Sequence, residues 1–287
     1  MAEPSPVARF FAAADTLLER AEPAWWGTVV TDSRFPDVYD LNYARVDTAQ
    51  PDLTLTEVEA ALLPAVRAVG ARHFHVVVFE PERTRRLVRE LEAAGHEISW
   101  DSAMEFAGAT PQEPRDHVVD PVRDLDAEFW RAQEQVYREF DVHDRAALDQ
   151  LIRWARETLA PAGRRWFTVR VAGRLAGIGS LQTREGVAYV DDVMTFPEFR
   201  RRGIAAAIVT RIVREARELG AEHIMLLSDS ADAVRLYERL GFRRAGRVAG
   251  AYSKLDADQP KGSSGSMRDP DSVAPPADGD SMDKGPG

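Results

Sequence analysis

Three features of this 287-residue chain predict an α+β fold, a layered α/β arrangement in which a mixed central sheet carries helices on both faces. Residues 166–171 and 175–182 alternate apolar and polar side chains about the turn Ala172-Gly173-Arg174, the pattern of a β-hairpin with one face on a core. Ile204, Ile208, Ile212, Ala216 and Leu219 recur every three or four residues and stop at Gly220, which is the spacing of a helix with one apolar face and a glycine stop. Apolar runs at 187–195 and 224–227 flank that helix, so strand, helix and strand follow one another.

The remaining elements follow in order. Residues 117–123 open the second half of the chain, 125–140 and 146–159 have helical patterning, 231–240 form a short helix and 242–252 a last strand. The first half repeats part of this order. Residues 58–97 run helix, Gly70, strand, helix, Gly95, and residues 205–243 run the same way with Gly220 and Gly241 in the matching places. GARHF at 70–74 pairs with GAEHI at 220–224. The other reading is two unrelated helix–strand–helix stretches, a common arrangement in α/β proteins. Turn formers at 108–114 (GATPQEP) divide the chain into expected domains at 1–112 and 113–256. Residues 257–287 hold five Pro, five Gly, five Ser and no aromatic, too little apolar surface to offset ordering entropy, and are expected to be a disordered tail.

Composition narrows the chemistry. There is no cysteine, which excludes disulfides, thiolate metal sites and a cysteine nucleophile. A formal charge of −10 argues against a chain-wide nucleic-acid or anionic-membrane surface. No apolar run is long enough to span a bilayer and the first residues lack the pattern of a signal peptide, so a cytoplasmic protein is expected. His73 and His75 share one strand face but have no third ligand at useful spacing, so no metal is expected. Trp25, Trp26 and Trp130 read as core or interface aromatics, and Arg83 to Arg86 as a solvated helix face.

The sharpest local signal is FPEFRRRGIAA at 196–206, between a strand and a helix. Such a loop points unpaired N–H groups and the positive end of a helix dipole at one place, which suits a pyrophosphate. Gly203 lets the backbone approach a ligand, and Arg200, Arg201 and Arg202 add charge. A plain basic helix start is the alternative.

This segment resembles the GNAT superfamily of N-acetyltransferases, whose R/Q-x-x-G-x-G/A signature follows the fourth strand. The signature stands here as Arg200-Arg201-Arg202-Gly203-Ile204-Ala205, after Thr195-Phe196-Pro197-Glu198-Phe199. The family's second hallmark, N-x-x-A-x-x-L-Y-x-x-x-G-F, is matched from Ser230 through Ala233, Leu236 and Tyr237 to Gly241 and Phe242. Ser230 replaces the usual Asn, keeping a helix cap while removing the Asn contact to the pantetheine arm.

The resemblance spans 117–254 and implies a GNAT fold, preceded by a GNAT-like amino-terminal domain without a phosphate loop. It also implies acetyl-CoA as cosubstrate with no metal, and a primary amine of a small molecule or peptide as acceptor. The backbone of Val193, Met194 and Thr195 would bind the pantetheine and polarise the thioester, and residues Arg200 to Ala206 would hold the pyrophosphate. Tyr237 would be the acid for the leaving thiolate; its other reading is a core aromatic in register with Ala233, Val234 and Leu240. For the base, Asp191 and Asp192 precede the cofactor segment. Successive strand residues point to opposite faces, so at most one of the two is expected in the cleft, and Asp192 is favoured. A solvated edge, a salt bridge to an arginine or a water chain are the alternatives. The implied activity is N-acetyl transfer; an acyl-CoA-binding regulator or transfer of another acyl group are the alternatives.

Overall fold

The computed structural model describes residues 4–109, 111–112 and 116–255. The expected tail at 257–287 and part of the 108–114 seam lie outside the described residues. The first half of the chain forms α1 (Pro6–Ala14), β1 (Arg20–Ala24), β2 (Gly27–Thr31), β3 (Tyr43–Val46), α2 (Leu55–Ala68), β4 (His73–Val78), α3 (Arg85–Ala93) and β5 (Glu97–Phe106). The second forms β6 (Val119–Pro121), α4 (Ala127–Glu139), α5 (Arg145–Trp154), β7 (Arg165–Val171), β8 (Arg174–Arg184) and β9 (Val187–Thr195). It ends with α6 (Ile204–Glu218), β10 (His223–Ser228), α7 (Ala231–Arg239) and β11 (Phe242–Lys254). The helix expected over 146–159 is α5 continued by a π turn, Ala155–Leu159.

Local chemistry sets these boundaries. Side chains of Asp126, Asp144 and Ser230 accept a hydrogen bond from the third residue of α4, α5 and α7. The chain leaves α2, α3, α6 and α7 through Gly70, Gly95, Gly220 and Gly241, all at positive φ, where a Cβ would be strained. The repeat read from the sequence therefore exists: α2, β4, α3, β5 and α6, β10, α7, β11 follow the same order with the same glycine exits.

All strands join one sheet in the order β1-β2-β3-β4-β11-β5-β10-β9-β8-β7-β6. Two parallel pairs, β3 with β4 and β9 with β10, lie on either side of the antiparallel centre. At the centre the halves exchange their last strands. β5 pairs with β10 of the second half, β11 pairs with β4 of the first, and β5 and β11 pair with each other from Phe106–Phe242 to Glu97–Tyr252. The exchange covers edges that each half-sheet would otherwise leave as rows of unpaired N–H and C=O groups. The expected division at 112/113 is thus one of sequence and not of the sheet.

Helix α6 packs on β8 at closest range where two glycines lie. A Cβ at Gly177 would stand 2.6 Å from Ile204 Cγ2, and one at Gly179 would stand 2.5 Å from Ile208 Cγ2. The G-x-G pair is a packing device beneath the helix that follows the 196–203 loop. Gly179→Val is expected to destabilise the fold by about 1–3 kcal/mol through overpacking, read as a lower urea midpoint at unchanged slope. An unshifted midpoint would mean that α6 can lift away without cost.

Candidate functional site

The geometry around α6 begins with β9. It pairs with β8 along its length, but with β10 only from Val187–His223 to Tyr189–Met225. Beyond that point the two parallel strands diverge, leaving one edge of β9 without a strand partner up to Thr195. The carboxyl end of β9 then leads through residues 196–203 into α6. Gly203 caps that helix at φ 79° with no side-chain cap, so the N–H groups of Ile204, Ala205 and Ala206 have neither a helical nor a side-chain acceptor among the described residues. A Cβ at Gly203 would meet only His117 Nε2, at 4.0 Å. An opened strand edge and an open N–H cradle thus lie in series, as an extended thioester with a pyrophosphate requires.

The three arginines differ in position. Arg200 turns back to donate to the Thr195 carbonyl oxygen (3.2 Å) and pairs with Glu139 (2.8 Å), so it braces the loop. Arg202 lies over the Phe199 ring, and its carbonyl oxygen is 2.6 Å from His117 Nε2. Arg201 stands at φ 63°, exposed. Ser230 caps α7, its hydroxyl accepting from the Ala233 N–H at 3.3 Å. Tyr237, on α7, is buried, tilted against Phe242 and within the field of Asp191. Burial first, then Asp191, pushes its hydroxyl up to about 12, so it stays protonated at neutral pH.

The acidic pair corrects one expectation. Asp192 sits at φ 52° in a β-bulge, where the register with β8 shifts between Ile178 and Ser180. The bulge breaks the alternation of faces, so Asp191 and Asp192 turn the same way. Both carboxylates meet Arg164 Nη2 at 2.7 Å. Arg164 also donates to Ser180 Oγ, and Gln133 Nε2 donates to Asp192 Oδ2 at 2.9 Å. Burial lifts the Asp192 carboxyl to about 6 against the pull of Arg164, whose own basicity the two carboxylates raise despite its burial. With Oδ2 engaged by two donors, Asp192 is better placed to orient Arg164 than to take a proton. Asp191 is 41% exposed and faces the open space.

Residues 120–242 match the model of the acetyltransferase (GNAT) family. The chain carries a GNAT domain. Its sequence is also 36% identical over 66 residues to an N-alpha-acetyltransferase MAK3 of Arabidopsis thaliana. That match covers 22% of this chain and 35% of the plant protein, so the chain spans about a third of its relative's length. Among solved structures, it resembles a functionally unknown conserved protein from Staphylococcus epidermidis with a TM-score of 0.66 at 13% identity, covering 82% of this chain and 93% of that one. It also resembles a GCN5-related N-acetyltransferase from Kribbella flavida, with a TM-score of 0.60 at 19% identity, covering 85% and 94%. At these identities the likeness is one of fold, and it extends over both halves of the chain.

Within the GNAT domain the signature residues of both motifs lie where the family pattern leads: the first in the loop after β9, the second on α7 and its exit. The amino-terminal half repeats the GNAT-like order of strands without that loop. Trp130 packs against Phe129 and Trp166 in the core, while Trp154 lines the open space beside Asp191. Trp26 is buried and Trp25 is 64% exposed. His73 and His75 are neutral residents of the interior, His75 pushed down to about 3 by burial and then by His73. Sequence reasoning missed Arg164 and Gln133, since neither belongs to a motif. Only the bulge at Asp192 brings them to the acidic pair.

Proposed function

We propose that the chain transfers acetyl from acetyl-CoA to a primary amine by direct attack, with no acyl-enzyme. The observation that carries this reading is the divergence of β9 from β10 immediately before an uncapped, glycine-led helix. Residues Gly203 to Ala206 would hold the pyrophosphate through their N–H groups, and the free edge of β9 at Val193 to Thr195 would bind the pantetheine and polarise the thioester carbonyl. Acetyl-CoA supplies the activated acyl group; the chain supplies position and proton handling.

Tyr237 acts on the leaving sulfur. Its hydroxyl, near 12, is a weaker acid than a thiol of about 8.5, so it does not drive proton transfer alone. It donates a hydrogen bond that stabilises the developing thiolate, then passes on the proton that the attacking nitrogen loses. Asp192 serves as a positioning residue through Arg164. We place the reaction in the cytoplasm, which fractionation of the tagged chain would check. Incubation with acetyl-CoA and an amine panel, followed by thiol release and by the acetyl mass increment on the acceptor, tests the reading. Thiol release that needs no amine, or none at all with acetyl-CoA bound, would sink it.

A further inference from the structure

Next to Asp191 the two halves of the chain enclose a half-open cavity of about 460 Å³. Its apolar wall is rich in aromatics: Phe10 and Phe11 from α1, Tyr137 from α4 and Phe140 just after it, Trp154 from α5 and Tyr189 from β9. Its polar wall is acidic, and the acids are unequally matched. Asp15 pairs with Arg45 at 3.0 Å, and Asp191 and Asp192 share Arg164. Among the described residues Asp40 and Asp101 have no charged basic partner within salt-bridge distance, since His75, 3.7 Å from Asp40, is neutral. The Asp40 side chain is 64% accessible and lines the cavity. Tyr189, only 9% exposed, has no hydrogen-bond partner for its hydroxyl among the described residues and lies in the field of Asp191, Asp101 and Asp40. A tyrosine hydroxyl open to the cavity and two carboxylates without a cationic partner beside an aromatic wall suit a cation with an apolar body.

We infer that this cavity is the acceptor site, that the acceptor is a compact primary amine with an aromatic or aliphatic body, bound as its ammonium ion, and that Asp40 accepts that ion's proton. The inference rests on the acetyl-transfer reading above and adds its substrate class and base. A volume of this size suits a small molecule, and a hydrophilic polyamine or aminosugar would leave the aromatic wall poorly covered. The steps balance. The ammonium gives one proton to the Asp40 carboxylate; the free amine forms the C–N bond as the C–S bond breaks; the nitrogen's surplus proton reaches the thiolate through Tyr237. The proton on Asp40 then leaves to water.

The charges around Asp40 set its pH range. Partial desolvation by the cavity walls, then Asp191 and Asp101, lift its carboxyl to about 7. The other titratable groups that face it are His75 on β4, Tyr43 on β3, Tyr189 on β9 and its neighbour Tyr39, all uncharged at neutral pH. A base near 7 matches the working pH and is ionised above it, so kcat/KM falls as pH drops through that value.

The test uses phenethylamine as probe, with spermidine and glucosamine as hydrophilic controls. Calorimetry on the full chain saturated with coenzyme A should show phenethylammonium bound at least about tenfold tighter than either control, and at least about tenfold weaker in Asp40→Asn. Turnover by Asp40→Asn should fall at least about tenfold and lose the acid limb near pH 7, with Asp40→Glu restoring the limb in part and acetyl-CoA binding unchanged in both. Full turnover with the limb intact in Asp40→Asn would overturn the assignment of the base. Thiol release with the hydrophilic controls, while phenethylamine neither binds nor reacts, would overturn the acceptor class and leave acetyl transfer standing. Phenethylammonium binding that depends on Asp40, without thiol release from any amine, would support the amine site and remove the acetyl-transfer reading.

Discussion

A Gly203→Glu chain is expected to fold and to lose acetyl-CoA binding by at least about 100-fold in calorimetry. The fold should survive because a Cβ at this position meets no protein atom nearer than 4.0 Å. Binding should not survive, for two separable reasons. A non-glycine residue at φ 79° is strained by about 1–2 kcal/mol and tends to draw the loop out of its conformation. The glutamate also places a negative charge among the N–H groups of Ile204, Ala205 and Ala206, where it both occupies the cradle and repels the pyrophosphate. Gly203→Ala isolates the first effect and should lose about tenfold. Full binding by the glutamate variant would mean that the cofactor lies elsewhere.

The same titration should give one site per chain. In the repeat, the counterpart of the cradle is 50–55, ahead of α2, and the N–H groups of Thr54, Leu55 and Glu57 there already have side-chain acceptors. Glu57 accepts from the Thr54 N–H at 3.0 Å, Thr54 Oγ1 accepts from the Glu57 N–H at 3.3 Å, and Glu90 accepts from the Leu55 N–H at 2.8 Å. Two carboxylates stand where a phosphate would have to bind. Arg85, Arg86 and Arg89 do frame an open depression of about 410 Å³ beside this end, so positive charge is present there. What distinguishes it is that side chains already occupy the N–H groups of Thr54, Leu55 and Glu57. A second site per chain would locate coenzyme binding in that depression and overturn this reading.

Tyr237→Phe is expected to lower turnover by about 10²-fold while acetyl-CoA binding changes only a few-fold. Phenylalanine keeps the ring packing against Phe242 and removes only the hydroxyl, so stability should hold. The loss should appear in kcat and in kcat/KM alike, since the hydrogen bond to sulfur strengthens only as the C–S bond breaks. Unchanged turnover, with the chemical step shown to limit the rate, would return Tyr237 to a packing role.

What could be read from the chain before folding was its short-range chemistry. The loop at 196–206, the Ser230 cap, the glycine exits and the internal repeat were legible because each depends on residues within a few positions: a glycine that permits positive φ, a side chain that reaches the next N–H, an apolar spacing that matches a helix turn. The site's second half was not legible in the same way. The expectation that at most one of Asp191 and Asp192 faces the cleft applied the strand period correctly, and it failed because the bulge at Asp192 shifts the register without a glycine to announce it.

The sequence by itself determined that this chain holds two helix–strand–helix repeats, with one glycine-led, arginine-rich loop before the helix of the second, because these are local consequences of side-chain shape and backbone freedom. Only the tertiary structure decided that the repeats trade their last strands, that Arg164 and Gln133 tie down the acidic pair, and that Asp40 and Asp101 of the first half face Asp191 of the second across one cavity. The reason is that a strand edge will pair with any strand of suitable register, and a carboxylate carries no mark of which remote residue it will meet. Those partners are chosen by the closure of the whole sheet and the packing of helices over it, where the stabilisation comes from contacts between residues far apart in the chain.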